Sequence, residues 1–198
     1  MKKINIYRFL RIVLIIAALV VLAFVVKKFY GEGKTENLAK EVVKEIKATT
    51  ESAETEGQVT QTIDAELGGY KVVGIIKIPK IDVEYPILER TNVESLNISI
   101  TKFWGNDINE IGNVTLAGHN NFSGVMFGKI KKLVIGDIIE LTDIQNITLK
   151  YEVFHTEIID PNDISCILPI EEGRREVTLI TCENGKANRF IVKAKEVI

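Results

Sequence analysis

The apolar positions of this chain fall into two regimes. Residues 9–26 read FLRIVLIIAALVVLAFVV, apolar throughout except for Arg11. At a rise of about 1.5 Å per residue, a helix of this length crosses a hydrocarbon core of about 30 Å. Arg11 lies near one end, where its side chain reaches the headgroups. From residue 70 onward the pattern changes to short runs rich in β-branched residues, separated by turn residues, and all four prolines lie there. Between the two, residues 31–69 hold no aromatic or proline, and acids outnumber lysines. Leu38, Val42, Val43 and Ile46 trace one short helical stripe. Residues 48–62 turn to Thr, Ser, Glu and Gln, a composition that does not bury enough apolar surface to order itself. The expected organisation is a membrane helix over 1–30, a charged spacer over 31–69 and a folded domain over 70–198.

Within that domain, strands are expected at 72–78, 81–88, 113–117, 138–142, 147–159, 176–181 and 189–197. Pro86 marks the second as an edge or bent strand. Short helices are expected at 92–100, with Asn92 as N-cap, and at 125–133, with Lys129, Lys131 and Lys132 outward. Seven or eight short strands with two small helices imply a mainly all-β fold, a barrel or a sandwich, and no βαβ repeat.

Charge sharpens the topology. Lys2, Lys3, Arg8 and Arg11 precede or open the apolar run, whereas only Lys27 and Lys28 follow it before acids take over. The positive-inside rule then favours an inward N-terminus with the bulk of the chain outside. No small-x-small cleavage site follows the run, so a retained signal anchor is expected over a cleaved signal peptide. The net charge of −2 gives no reason to expect nucleic acid. Cys166 and Cys182 make no disulfide framework, and no Cys/His cluster suggests zinc. Asp107, Glu110, Glu171 and Glu172 are scattered acids of the solvated kind, so no metal and no cofactor are expected.

Two strand ends carry candidate chemistry. Along residues 176–182, Val177, Leu179 and Thr181 face one way and Thr178, Ile180 and Cys182 the other. Asn184-Gly185 is a strong turn signal, and Arg189 opens the next strand. In a hairpin, Cys182 and Arg189 face each other across its loop end. A guanidinium there favours the thiolate and suits an oxyanion. A cysteine nucleophile also needs a proton carrier. His119 ends the run VTLAGH at the mouth of a strand and opens a Gly- and Asn-rich loop, a place where functional residues concentrate. His155 lies mid-strand among charged neighbours and reads as an ordinary surface residue. Taken singly, each of these residues has a bland reading: a buried thiol, a structural histidine, a solvated arginine.

NVTLAGHN, then VTLITC, then RFIVKAKEV together resemble the sortases, membrane-anchored cysteine transpeptidases of Gram-positive bacteria. The family's T-L-x-T-C motif is matched by Thr178, Leu179, Ile180, Thr181 and Cys182, its histidine by His119 and its arginine by Arg189. VGIIKIPKIDVEYPIL also looks like the family's first strands. The resemblance covers roughly residues 70–197. It implies an eight-stranded β-barrel, catalytic roles for His119, Cys182 and Arg189, and a substrate-side place for Thr181. The implied substrate is an LPxTG-like sorting signal of a secreted surface protein, and the acceptor an amine of a cell-wall precursor or a pilin. By the same analogy, residues 160–175 form a loop over the peptide groove, where Ile167 and Leu168 are apolar enough to hold a Leu-Pro; the alternative is that 164–168 packs against the barrel. The compact spacing before and after the cysteine looks more like class D than class B, although GVMFGKIKKL has a class B character. No second span is expected after Ile198, which separates the chain from tail-anchored class C enzymes. Two other functions remain open at this level: a thiol-disulfide protein using Cys166 and Cys182, and a non-catalytic tethered β-domain that binds peptide or glycan.

Overall fold

The β-branched runs become strands, and the strands close on themselves. A computed structural model describes residues 6–55, 62–121, 123–169, 172–183 and 187–197. Helix α1 spans Ile6–Thr55, and the chain divides into two compact units, residues 1–34 and 35–198. In the first unit, Ile6–Lys27 is long and apolar enough to cross a membrane, and its side chains are exposed.

The second unit contains β1 (Glu66–Leu67), β2 (Tyr70–Ile78), β3 (Val83–Leu88), α2 (Val93–Leu96), β4 (Ile100–Gly105), β5 (Gly112–Ala117), β6 (Ile138–Asp143), β7 (Thr148–Ile159), β8 (Arg175–Glu183) and β9 (Asn188–Glu196). The sheet order is β1-β2-β3-β4-β5-β8-β9-β7-β6, and β2 also pairs β6. That last pairing closes β2 to β9 into an eight-stranded barrel and leaves β1 as an appendage of β2. Two pairings are parallel, β3 with β4 and β5 with β8. Closure removes the open edges that a sheet of this size would expose. The interior is filled by Ile76, Ile87, Leu116, Leu141, Leu179 and Val192, all fully buried. The buried polar groups of Tyr151 and Asn109 are matched: Tyr151 donates its hydroxyl to Asn109 Oδ1 at 3.0 Å, and Asn109 Nδ2 donates to the Ile147 carbonyl at 2.8 Å.

Pro86 sits within β3 where β2 alone flanks it, because β4 joins β3 only at Ile87 and Leu88. The expected helix at 92–100 is shorter than its pattern suggested. Asn92 caps it, accepting from the Ser95 amide at 2.8 Å while Ser95 Oγ accepts from the Asn92 amide at 2.9 Å. The helix stops at Leu96, and an unexpected strand, β4, follows; its sequence ITKFWG lacks a regular apolar alternation.

The helix expected at 125–133 does not form. Met126 has φ 51, in the left-handed region, and donates its amide to the Tyr85 hydroxyl at 3.2 Å. An α-helix cannot pass through such a residue, and only a 3₁₀ turn at Ile130–Lys132 remains. Phe127 and Ile130 are nonetheless fully buried, so the apolar spacing reports burial rather than helix.

The compact unit begins at Thr35 rather than at 70, so the expected spacer of 31–69 is largely part of it. Ala39, Val43 and Ile46, spaced at helical intervals, are buried in the same cluster as Ile63, Leu67 and the barrel residues, while Leu38 stays exposed. The Ile63 amide donates to the Ile144 carbonyl at 2.7 Å, and Lys47 pairs with Glu84 of β3. The stripe is too short for a coiled coil, yet it is long enough to cover one apolar face of a barrel. Most helical stability in proteins comes from such tertiary packing rather than from intrinsic propensity. Residues 56–61 of the Thr/Ser/Glu/Gln stretch lie outside the described residues.

Candidate active site

Register brings the candidate residues together. β5 and β8 run parallel, with Ala117 level with Ile180. Just past the end of β5, the Gly118 amide donates to the Ile180 carbonyl at 3.2 Å, and His119 follows it to line the same cavity as Cys182, two residues beyond Ile180 in β8. On the other side, β8 and β9 are antiparallel, and Cys182 is the direct partner of Arg189. Arg189 in turn pairs Ile159, the last residue of β7. Four strand ends thus meet at one point, and His119, Cys182 and Arg189 all line a cavity of about 300 Å³. The turn expected at Asn184-Gly185 falls outside the described residues.

Alternation along β8 sets which way each side chain points. Val177 and Leu179 are fully buried, whereas Ile180 and Cys182 are half-buried and face the cavity. Thr181, expected to bind substrate, also borders the cavity but is 2% exposed, and its hydroxyl donates to the Gly118 carbonyl at 2.7 Å. One residue on, Asn120 Nδ2 donates to the Cys182 carbonyl at 2.8 Å. The residues on either side of His119 are therefore both tied to Thr181–Cys182. The imidazole Nε2 lies 3.2 Å from Asn97 Oδ1, and the His119 carbonyl accepts from the Phe127 amide at 3.1 Å. Asn97 and Asn120 escaped the sequence reading. Asn120 stands next to a candidate in an Asn-rich loop, a weak local signal, whereas the Asn97 contact depends on how the α2 segment docks and has no signature along the chain.

The loop after β7 forms the opposite wall. Ile164, Cys166 and Ile167 line the cavity, while Leu168 is 60% exposed and lies outside the lining. Cys166 packs with Ile159 and Ile191 on the outer face of the barrel, joined by Ile167 and Ile180. Both expected fates of this segment thus occur in one turn: packing for Cys166 and groove lining for Ile167. Burial pushes the Cys166 thiol above its usual range, and both cysteines are free. His155 is exposed, with Nε2 3.5 Å from Glu157 Oε1, and does not line this cavity. Of the scattered acids, Asp107 pairs with Lys102, and Glu171 lies outside the described residues.

A thiol, an imidazole and a guanidinium around one open cavity suit acyl transfer from a carbonyl substrate. The comparisons agree with that chemistry. The sortase domain model matches residues 76–197. A sortase A of Bacillus anthracis is 31% identical over 97% of this chain and 95% of its own length, and sortase D of Bacillus subtilis is 28% identical over 83% and 85%. Sortase A of Listeria monocytogenes is 36% identical over 57% of this chain, a match that spans half of that relative. Among solved structures, a Clostridium perfringens sortase D5 transpeptidase superposes with a TM-score of 0.63 at 26% identity, covering 82% of this chain and 99% of that one. The Listeria monocytogenes sortase A structure gives 0.58 at 30% identity, over 64% and 88%. With more than half its length matched by that domain and a relative aligned nearly end to end, this chain belongs to the sortase family.

Proposed function

We propose that Cys182, His119 and Arg189 carry out the sortase reaction on an LPxTG-like sorting signal. The Cys182 thiolate attacks the carbonyl carbon of the residue before the scissile bond, forming a carbon–sulfur bond and a tetrahedral oxyanion. Arg189 donates to that oxyanion. The carbon–nitrogen bond then breaks, and His119 as imidazolium gives its proton to the departing amine. The thioester that remains is attacked by a second amine, whose proton passes to His119 as the thiolate leaves. The acceptor amine belongs to a cell-wall precursor or a pilin. The Ile6–Lys27 segment holds the enzyme in the membrane, with the catalytic domain outside the cell, a topology supported by the lysine and arginine excess ahead of it. Class D assignment is supported by the coverage of the Bacillus subtilis sortase D and by the Clostridium perfringens superposition.

The observation that most supports this reading is that His119, Cys182 and Arg189 line one cavity, with Arg189 the direct register partner of Cys182. The test is cleavage of a panel of fluorogenic LPxTG-type peptides by the full chain in detergent. Turnover with at least one peptide, abolished in Cys182→Ala, is expected. A folded wild-type protein that leaves every peptide intact would refute it. A disulfide exchange role would pair Cys166 with Cys182; both border the cavity, yet both are free thiols and Cys166 is 4% exposed.

A further inference from the structure

Three consecutive carbonyl groups of the groove wall are held by side chains from the barrel. The Cys166 carbonyl accepts from Thr178 Oγ1 at 3.2 Å and from Asn113 Nδ2 at 3.3 Å. The Ile167 carbonyl accepts from Asn113 Nδ2 at 2.9 Å. The Leu168 carbonyl accepts from Lys193 Nζ at 3.0 Å. Asn113 Oδ1 lies 3.0 Å from the same Thr178 Oγ1, so the one hydroxyl hydrogen is shared between it and the Cys166 carbonyl. All three donors are buried: Asn113 and Lys193 are 4% exposed, and Thr178 is fully covered.

A threonine and an asparagine on the outer face of a strand ordinarily remain in solvent, and a lysine is almost never buried unless its ammonium finds a partner. Desolvating such groups is unfavourable unless each is matched. Here the matching partner is the backbone of one short turn, Ser165–Ile167 and its C-terminal neighbour. The turn has little internal bonding of its own, with the Ile167 amide donating to Ile164 and the Leu168 amide to Ser165. The three donors also lie on adjacent strands, since Thr178 is the register partner of Lys193 and Asn113 lies on β5 beside β8. These are the strands whose ends present His119, Cys182 and Arg189.

Building on the proposed reaction, we propose that Asn113, Thr178 and Lys193 are positioning residues that fix the Cys166–Leu168 wall to the strands bearing the catalytic groups, so that the peptide groove exists before substrate arrives. A preformed wall spares the cost of ordering the loop on binding. The wall and the reacting groups then share one rigid reference, which a specific site requires. The residues touch the wall's backbone rather than substrate, so they act on binding more than on chemistry.

The test uses the full chain carrying Lys193→Met, which keeps the stem and removes the ammonium, or Thr178→Val, which keeps the shape and removes the hydroxyl. Hydrogen exchange without substrate should show the Ile167 and Leu168 amides exchanging about fivefold faster or more in each variant, as expected for losing one hydrogen bond of this kind. Peptide cleavage should show KM raised by a similar factor with kcat within about twofold, and Thr178→Ser should restore both. Unchanged exchange at these amides would overturn the proposal, as would faster exchange with KM unaltered. If Lys193→Met does not fold, Thr178→Val and Thr178→Ser decide by the same readings. Failure of wild-type protein to cleave any peptide would count against the reaction alone, and the exchange measurement would still decide whether the barrel donors hold the wall.

Discussion

Cys182 and Arg189 are directly opposed partners on neighbouring antiparallel strands, and both line the same cavity. Opposed residues in such a ladder have Cα atoms about 4.5–5.5 Å apart and side chains on the same face. In the proposed reaction, a guanidinium held there donates to the oxygen on the carbon that the sulfur attacks.

Arg189→Ala should therefore lower kcat by about 10²–10³-fold, the usual cost of removing a donor to a developing oxyanion, with KM changed much less. Arg189→Lys should recover little, because an ammonium on a flexible stem lacks the planar fork. Steady-state kinetics on a cleaved peptide provide the check. A lysine variant within about threefold of wild type would show that charge alone suffices.

Gly118 controls how His119 is presented. A Cβ at this position would stand 2.8 Å from Phe127 Cδ2 and 2.9 Å from its Cγ. Phe127 is fully buried and donates its amide to the His119 carbonyl, so neither ring nor strand end has room to give. Gly118→Ala should cost about 1–3 kcal/mol of stability, as overpacking does. It should also lower kcat/KM by at least about tenfold, through displacement of the imidazole. Adding Phe127→Leu should return part of the activity. A Gly118→Ala protein with wild-type kinetics would mean that the site tolerates a shifted His119.

The barrel and its chemistry were legible for different reasons. Seven of the eight barrel strands announced themselves through β-branched runs, and Asn92 announced its cap. β4 did not, because Phe103 and Trp104 are both exposed next to a register shift between Lys102 and Trp104, which breaks the alternation that sequence patterns rely on. The segment 125–133 misled in the opposite sense: its apolar spacing is real, but a left-handed Met126 turns it into a loop. At the site, Cys182 and Arg189 could be paired from local hairpin logic, whereas His119 reaches the same cavity from beyond the end of β5, whose parallel partner β8 is far away in sequence. Leu168 reads as groove lining by composition alone. Its side chain is exposed, while its carbonyl accepts from Lys193.

The segment from Thr35 to Thr55 is a structural part of the catalytic unit. Ile46 is 7% exposed and packs in the barrel-side cluster. Ile46→Ala should destabilise the protein by about 2–4 kcal/mol, within the range for a buried isoleucine truncated to alanine. A protein shortened to begin at 70 should melt well below one beginning at 35. Thermal unfolding of the two lengths checks this directly. Equal melting temperatures would return residues 35–69 to the role of a spacer.

Alkaline pH should destabilise this fold. Burial raises the Tyr151 and Tyr85 hydroxyls above the usual phenol range and the Cys166 thiol above the usual thiol range. Each group holds its proton more tightly folded than unfolded. Stability from these shifts is therefore fully present below the unfolded values, about 8.5 for the thiol and 10 for the phenols. It is lost as pH rises beyond them, because the unfolded chain ionises first. The melting temperature should change little from pH 7 to 8 and fall progressively between about pH 9 and 11. Tyr151→Phe removes the ionising hydroxyl and also its bond to Asn109. Its melting temperature should start lower at pH 7 and then decline less steeply than wild type above pH 9. Parallel curves for the two proteins would show that the buried phenol does not drive the alkaline loss.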